Sequence, residues 1–436
     1  MPSAKECSYG IRGIASRKEV LAVADLYGKA FGNYPRLYPN YLDLLLKRMP
    51  REQWRLSRTV WAHDGAPIAH IRIADRTMTL GAARVRVAGI GDVCTHPFRR
   101  KRGLMRTLFA HVNQFMREER YDLSLLWGIP NFYDKFGFIV ALSQEWFTVP
   151  RQQVARLEAP YKGRRSRRTD AEAILKLFRD DLACRDGAMD RWGDAWLRRL
   201  VREKWCRILE DDRGRPRAYY RGSPRDDGTF AVTEVSLGPR PDGGSPRAAG
   251  PNAAGIRRAA GRQSPAAVVS VLADAAKMAA ACEKGKVRFD LPVEHPIGQF
   301  CFADGCESTR QGWHRGGGMA RIANLESLCQ RMAPEWERLL ASSPVADWTG
   351  RLRLKTDIGT VDLAIARGYV KAEPPSGRAS AVLAADQDKL CRLVVGYHTP
   401  ATAALLGEAR ISREAMPLAA ALFPRRSLAI FPGDRF

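Results

Sequence analysis

The sequence predicts a mixed α/β (α+β) protein of three consecutive units, the first two built to one plan of mixed, mostly antiparallel sheets flanked by helices. Three observations carry this. An order of helix, helix, three strands, helix and strand occurs twice, its landmarks displaced by about 150 residues. In the first copy a β-branched strand runs into an arginine-rich, glycine-punctuated turn over 87–105. The C-terminal part changes to short alternating strands between helices. With 436 residues the chain exceeds the ~250–300 that one core organises, so several domains are expected. The expected boundaries are 1–150, 151–315 and 316–436.

In the first copy, Ser16 and Glu19 form a capping box that opens a helix to about Phe31. A second helix is expected over 39–48, and strands near 54–63, 67–75 and 84–95. Asp64 and Gly65 turn the first hairpin. A helix over 102–119 and an apolar strand over 123–127 complete the copy. In the second, Thr169 and Glu172 form another capping box, and a further helix covers 194–202. Strands follow near 205–210, 216–221 and 229–237, then a helix from Pro265 to about Cys282 and a strand over 286–291. The third region has a helix over 323–332, strands at 352–356, 361–365 and 369–372, and two or three closing helices, including 386–395 and 413–423. Its tail, 422–436, holds two prolines and a glycine. It reads as extended, with Ile430, Phe431 and Phe436 as anchors.

The turn after the third strand carries the first chemical signal. Pro97 ends the ladder, and a helix starts near Gly103, with Leu104, Met105, Leu108, Phe109, Val112, Phe115 and Met116 at helical spacing. The first amides of a helix lack intrahelical acceptors and carry partial positive charge. Gly103 lets an anion approach the backbone, and Arg99, Arg100, Lys101, Arg102 and Arg106 add charge. A pyrophosphate fits such a place. Taken alone, the turn also reads as a basic helix start at the surface. The segment 131–138, Asn-Phe-Tyr-Asp-Lys-Phe-Gly-Phe, then supplies a phenol at Tyr133.

Residues 100–105 resemble the Arg/Gln-x-x-Gly-x-Gly/Ala loop of the GNAT acetyltransferases, with Met105 in place of the small last residue. Residues 132–138 resemble their Phe-Tyr-x-Lys-x-Gly-Phe motif. Over essentially the whole chain the pattern is similar to the Eis-like (enhanced intracellular survival) group. The resemblance implies two tandem GNAT folds, a C-terminal sterol-carrier-protein-like domain, and acetyl-CoA as acyl donor to a primary amine of a small molecule or peptide. It implies that Val93, Cys94 and Thr95 meet the pantetheine arm and that Arg100, Lys101, Arg102, Gly103, Leu104, Met105 and Arg106 meet the pyrophosphate. Gly128, Ile129 and Asn131 would line the far side. Trimers or hexamers are the implied assembly. N-myristoyltransferases, which also pair two such folds, are a more distant alternative.

An amine must be neutral to attack a thioester, and the departing sulfur must gain a proton. Tyr133 is the candidate acid, its reference pKa of ~10 set against ~8.5 for a thiol. Its alternative is a packed aromatic among Phe132, Phe136 and Phe138. In the Eis-like group a terminal Phe supplies its carboxylate as base, and Phe436 is the matching position. An α-carboxylate at ~3.5 is a weak base in water, and burial raises it. Asp92 is the rival base, or else a hydrogen-bonded strand residue. His96 is a third candidate, or else a loop residue near the phosphates. The pantetheine arm requires an open strand edge, so the strands at 84–95 and 123–127 are expected to splay.

The second copy lacks the tyrosine motif. Its stretch 238–263 is rich in Gly, Pro, Ala and Arg, and Arg258 to Gly261 only faintly echoes the phosphate loop. This copy is expected to be structural and not to bind the cofactor. The formal charge of +24 raises nucleic-acid binding, but the arginines are spread through every segment, so nucleic acid is not the expected partner. Nine scattered cysteines fit reduced thiols in a cytoplasm. Cys301 and Cys306 lack a second pair, so no metal site is expected, and Cys94 reads as packing. No run approaches a membrane span. Two other classes remain: a binding protein that has lost catalysis and uses the third region for lipid or protein partners, and a nucleic-acid-associated acetyltransferase. The third region itself reads as a platform for assembly.

Overall fold

The computed structural model describes residues 9–182, 185–191, 197, 200–238 and 264–436. The first part comprises β1 (Gly10–Arg12), α1 (Arg17–Phe31), α2 (Tyr34–Asp43), β2 (Arg58–Trp61), β3 (Pro67–Leu80), β4 (Ala83–Thr95), α3 (Leu104–Glu118), β5 (Leu123–Gly128) and β6 (Ile139–Val140). Ser16 caps α1 by accepting from the Glu19 amide at 3.2 Å, and Gly32 ends it. Helix α2 starts at Tyr34, before the expected Pro39, which it contains, and continues as a π turn over Leu44–Arg48. The strand expected from 54 starts later. Trp54 is buried and donates its indole N–H to the Leu45 carbonyl at 2.8 Å, which holds Arg51–Leu56 as a 3-10 turn.

The second part comprises β7 (Gln144–Pro150), α4 (Arg151–Ala155), β8 (Lys162–Arg165), α5 (Ala171–Leu182), β9 (Cys206–Glu210), β10 (Pro216–Pro224), β11 (Thr229–Leu237), α6 (Pro265–Ala281), β12 (Lys286–Phe289), α7 (Pro296–Asp304) and β13 (Glu307–Gln311). The start of α5 is held by Asp170, not by the expected Thr169 and Glu172. The Asp170 carboxylate accepts from the Arg167 amide at 2.6 Å and from Arg164 at 2.7 and 2.8 Å. The helix expected at 194–202 and the stretch 238–263 fall largely outside the described residues.

The third part comprises β14 (Gly317–Ile322), α8 (Leu325–Leu340), β15 (Gly350–Thr356), β16 (Gly359–Ala366), β17 (Tyr369–Glu373), β18 (Ala381–Ala384), α9 (Gln387–Val394), α10 (Pro400–Leu405), β19 (Arg410–Ile411) and α11 (Met416–Leu422). Helix α8 runs past its expected end at 332 because Trp336 and Leu340 continue its buried stripe. The expected alternating strands are β15, β16 and β17, in a sheet of order β17-β16-β15-β18-β19. Among the described residues no helix is long and apolar enough to cross a membrane.

Two seven-stranded sheets repeat one plan. Their orders are β1-β2-β3-β4-β5-β14-β6 and β13-β7-β12-β11-β10-β9-β8. Read from β1 and from β8, each has four antiparallel strands, one parallel neighbour (β5 beside β4, β12 beside β11) and two antiparallel closing strands. The first closing strand is exchanged. β7 follows β6 in the chain but pairs with β12, and β14 follows β13 but pairs with β5. Residues 144–150, drawn into the first unit by the sequence reading, therefore lie in the second sheet, and 317–322, drawn into the third, lie in the first. A strand's own residues carry no label for the sheet that will accept it. Each sheet is covered on both faces. Helix α3 packs on one face of the first with Ala88, Ile90 and Leu126, while Val85, Val87 and Leu125 on the other join the core of α8 and the third sheet.

Candidate active site

β4 and β5 form only three rows, Val87 with Leu123, Ala88 with Ser124 and Gly89 with Leu125. Beyond them the strands part, while the other edge of β4 stays paired to β3 as far as Thr95. A bulge helps the divergence. The β3–β4 register shifts between His70 and Arg72, and Asp92 takes φ 53°, a left-handed value that a non-glycine residue adopts only when its surroundings hold it there. The edge of Val93, Cys94 and Thr95 that faces β5 carries no strand. Cys94 is buried, which pushes its thiol well up and makes it a packing residue.

At the end of this edge lies the helix start. Lys101 and Gly103 both have positive φ, 61° and 76°. Gly103 is the N-cap of α3, and a Cβ placed on it meets nothing within 4 Å. None of the described residues accepts from the amides of Gly103, Leu104 or Met105, whereas Arg106 and Thr107 both donate to the Gly103 carbonyl. Arg99, Arg100, Lys101, Arg102 and Arg106 are exposed around it, and Leu104 anchors the helix in the core. Arg100 also donates to the Ala30 carbonyl at 2.5 Å, which ties the loop to α1. Open space, unpartnered amides and surrounding cations fit a pyrophosphate.

Tyr133 stands at the end of β5. A Cβ on Gly128 would lie 2.4 Å from its ring, so glycine is required there. Phe109, Phe132 and Phe138 meet the ring edge-on. Burial pushes the phenol up to about 12, and the charge of Asp92 adds to the shift. Full proton transfer from such a phenol to a thiolate of ordinary pKa ~8.5 runs uphill. Donating a hydrogen bond to a developing thiolate is the chemistry this position offers directly. Asn131 takes φ 59° and donates its amide to the Arg315 carbonyl at 2.9 Å, while Ile129 is 65% exposed at the mouth.

The C-terminus enters the same gap from the other face. Cβ atoms on Gly89 and Gly91 would lie 2.1 Å from the Phe436 ring and 3.0 Å from its carboxyl carbon. Trp127 packs on the ring at 5.9 Å, and Arg435 lies 5.3 Å above Trp127. The tail reaches this point through Phe431, fully buried in the second core, and a 3-10 turn at Pro432–Asp434, the one departure from its expected extended form. Ile430, the third expected anchor, is partly buried against the core shared with the third sheet.

Asp92 is not free in the gap. It is paired with Arg72, both nearly buried, and an Arg72 nitrogen lies 2.7 Å from the position of a Gly91 Cβ. Burial works against the Arg72 charge, yet Asp92 and Tyr41 hold its pKa above the ordinary value. His96 donates its amide to the Ile68 carbonyl, before the phosphate-side turn. His70 is fully buried between Tyr41 (2.9 Å) and Thr59 (2.8 Å), and burial lowers it to about 4. Arg72, His70 and the Gly89/Gly91 cradle escaped the sequence reading. Two glycines on one face of an otherwise β-branched strand were the available signal.

Residues 12–141 match the acetyltransferase (GNAT) domain family. No curated protein sequence matches the chain. Among solved structures, a GCN5-related N-acetyltransferase from Anabaena variabilis superposes with a TM-score of 0.71 at 16% identity, covering 97% of this chain and 98% of that one. A GCN5-related N-acetyltransferase from Kribbella flavida gives 0.68 at 17%, covering 98% of each. Eis1 from Mycobacterium abscessus gives 0.65 at 14%, covering 98% and 100%. At these identities the likeness is one of fold, and it extends over the whole chain.

Proposed function

We propose that the chain is an acetyl-CoA-dependent N-acetyltransferase acting on a primary amine of a small molecule or peptide by direct attack. The observation that carries this reading is one gap with a different group at each side: Tyr133 on the α3 face, the Phe436 carboxylate on the other, and the Gly103 amides at the end of the open strand. Gly103, Leu104 and Met105 would hold the pyrophosphate with Arg100, Lys101, Arg102 and Arg106. The open edge of Val93, Cys94 and Thr95 would pair with the pantetheine, and Gly128, Ile129 and Asn131 would line its far side. Acetyl-CoA supplies the acetyl thioester.

The Phe436 carboxylate holds an incoming ammonium and takes its proton, directly or through water. Tyr133 donates a hydrogen bond to the departing sulfur and carries its own proton throughout the neutral range. Asp92 keeps Arg72 beside the carboxylate, and it becomes the base only if the terminal residue proves dispensable. Assembly into a homo-oligomer through the third region, and a cytoplasmic setting, belong to the same reading.

Thiol release from acetyl-CoA across a panel of lysine peptides, polyamines, aminoglycosides and simple alkylamines tests it. Amine-dependent release with acetylation at nitrogen is expected. Binding of CoA with no release on any amine would leave the non-catalytic binding protein as the better reading.

A further inference from the structure

In the second sheet the β11–β12 rows end at Val232 with Phe289. Two residues beyond the last row stands Glu234, as Gly91 stands two residues beyond Gly89 in the first sheet. The first position is bare and receives the chain's end. The second carries a carboxylate with 1% of its side chain exposed. Arg191 grips it with two hydrogen bonds, at 2.9 and 3.0 Å. Tyr219 donates at 2.8 Å, and Arg221 at 3.0 Å while reaching on to Glu203. Arg191 then extends to Asp434, whose side chain is 3% exposed. The tail lies directly over this cluster. A Cβ on Gly433 would be 3.3 Å from Arg221 and 3.6 Å from Arg191.

Asp434 is two residues before the C-terminus, and two residues of extended chain span at most about 7 Å. Fixing Asp434 therefore confines the carboxylate over Gly91 to within about 7 Å of it. We propose that Arg191 and Glu234, acting through Asp434, are positioning residues for the terminal carboxylate. The second copy of the fold then holds the first copy's base in register. The inference rests on the acetyltransferase reading, and it assigns the second copy a task that needs no cofactor. A fixed fork of guanidinium and carboxylate suits that task, because two parallel hydrogen bonds define orientation as well as distance.

The test uses the full chain with Asp434→Asn, Arg191→Met and Arg191→Lys. Two quantities are read: release of Phe436 by a carboxypeptidase, followed by mass spectrometry, and kcat separately from the KM for acetyl-CoA. Asp434→Asn and Arg191→Met are expected to release Phe436 at least about tenfold faster and to lower kcat by about tenfold to a hundredfold, with the KM for acetyl-CoA within about twofold. Arg191→Lys, which keeps the charge but not the fork, should fall between them and the parent. Release as slow as in the parent would overturn the proposal. So would a fall in kcat accompanied by an equal loss of acetyl-CoA binding and a lower Tm, the pattern of a structural staple. Should Arg191→Met fail to fold, the isosteric Asp434→Asn decides. If the chain transfers no acetyl group at all, the functional reading falls, while the release of Phe436 still reports on the hold.

Discussion

The two seven-stranded sheets share their strand order and part company at one place. In the first, glycines at 89 and 91 bring no side chains of their own, and the Phe436 ring and carboxyl group lie where their Cβ atoms would be. In the second, the equivalent position on β11 carries Glu234, bonded to two arginines and a tyrosine. The helix that follows also differs. α3 begins at a left-handed glycine with free amides, whereas Pro265 opens α6 behind Ser264. On the proposed reading one scaffold serves two purposes, and a handful of residues at the point of divergence separates them. The scaffold is permissive, and the small residues make the site.

The sharpest way to break this comparison is at the chain's end. Deleting Phe436 should lower kcat by about 10²–10⁴-fold, the usual worth of a general base, with acetyl-CoA binding retained. Full activity in the truncated protein would hand the role to Asp92. Next, Tyr133→Phe should cost about 10²-fold in kcat with an unchanged KM for acetyl-CoA. Because the phenol sits near 12, the parent enzyme should show no loss of kcat from its ionisation up to about pH 10, and a fall beginning near pH 9 that Tyr133→Phe abolishes would contradict that value.

Acid stability sharpens the contrast. His70 is held neutral at about 4, below its ordinary 6.5, so its contribution is fully present above pH 6.5 and is lost as the pH falls towards 4. That shift corresponds to about 3 kcal/mol. Glu234 is lowered to about 2, with burial opposing its charge and Arg191 and Arg221 outweighing it, so its contribution holds above pH 4.5 and is lost towards pH 2. His295, buried and lowered to about 3, titrates in the same sense as His70. Denaturant unfolding of His70→Gln should therefore show a shallower loss between pH 6.5 and 4 than the parent. Parallel curves would remove His70 from the account. The smallest effect concerns the helix start. Gly103→Ala must adopt φ 76° at a cost of about 1–2 kcal/mol, so the KM for acetyl-CoA should rise about tenfold at constant kcat. Calorimetry should count one cofactor per chain, and two would overturn the structural reading of the second copy.

Much of the candidate site's placement was legible because its signals are local. Gly103 with its basic neighbours, Tyr133 in its aromatic frame and the anchoring residues of the tail each sit in short stretches whose residue types state their conformation. What could not be read depends on partners far apart in the chain. Arg191 meets Asp434 across 243 positions, and β5 meets β14 from Gly128 to Gly317. The capping box expected at Thr169 failed for a related reason. Arg164 and Arg167 capture Asp170 first, and charge-assisted bonds outcompete a hydroxyl. The helix expected to end at 332 continued because buried contacts at Trp336 and Leu340 favour it despite Pro334.

The exchange of β7 and β14 has a consequence for how this polypeptide is made. While a ribosome is still translating the middle of the message, β5 has emerged but its neighbour has not, so a bare edge waits for residues 317–322. At elongation rates of ~5–20 residues per second that wait lasts on the order of ten seconds or more. During it, the first sheet is unfinished and able to pair with another nascent chain. Expressed alone, residues 1–150 would keep that edge bare, and the stretch that looks most like an autonomous enzyme lacks a strand of its own sheet.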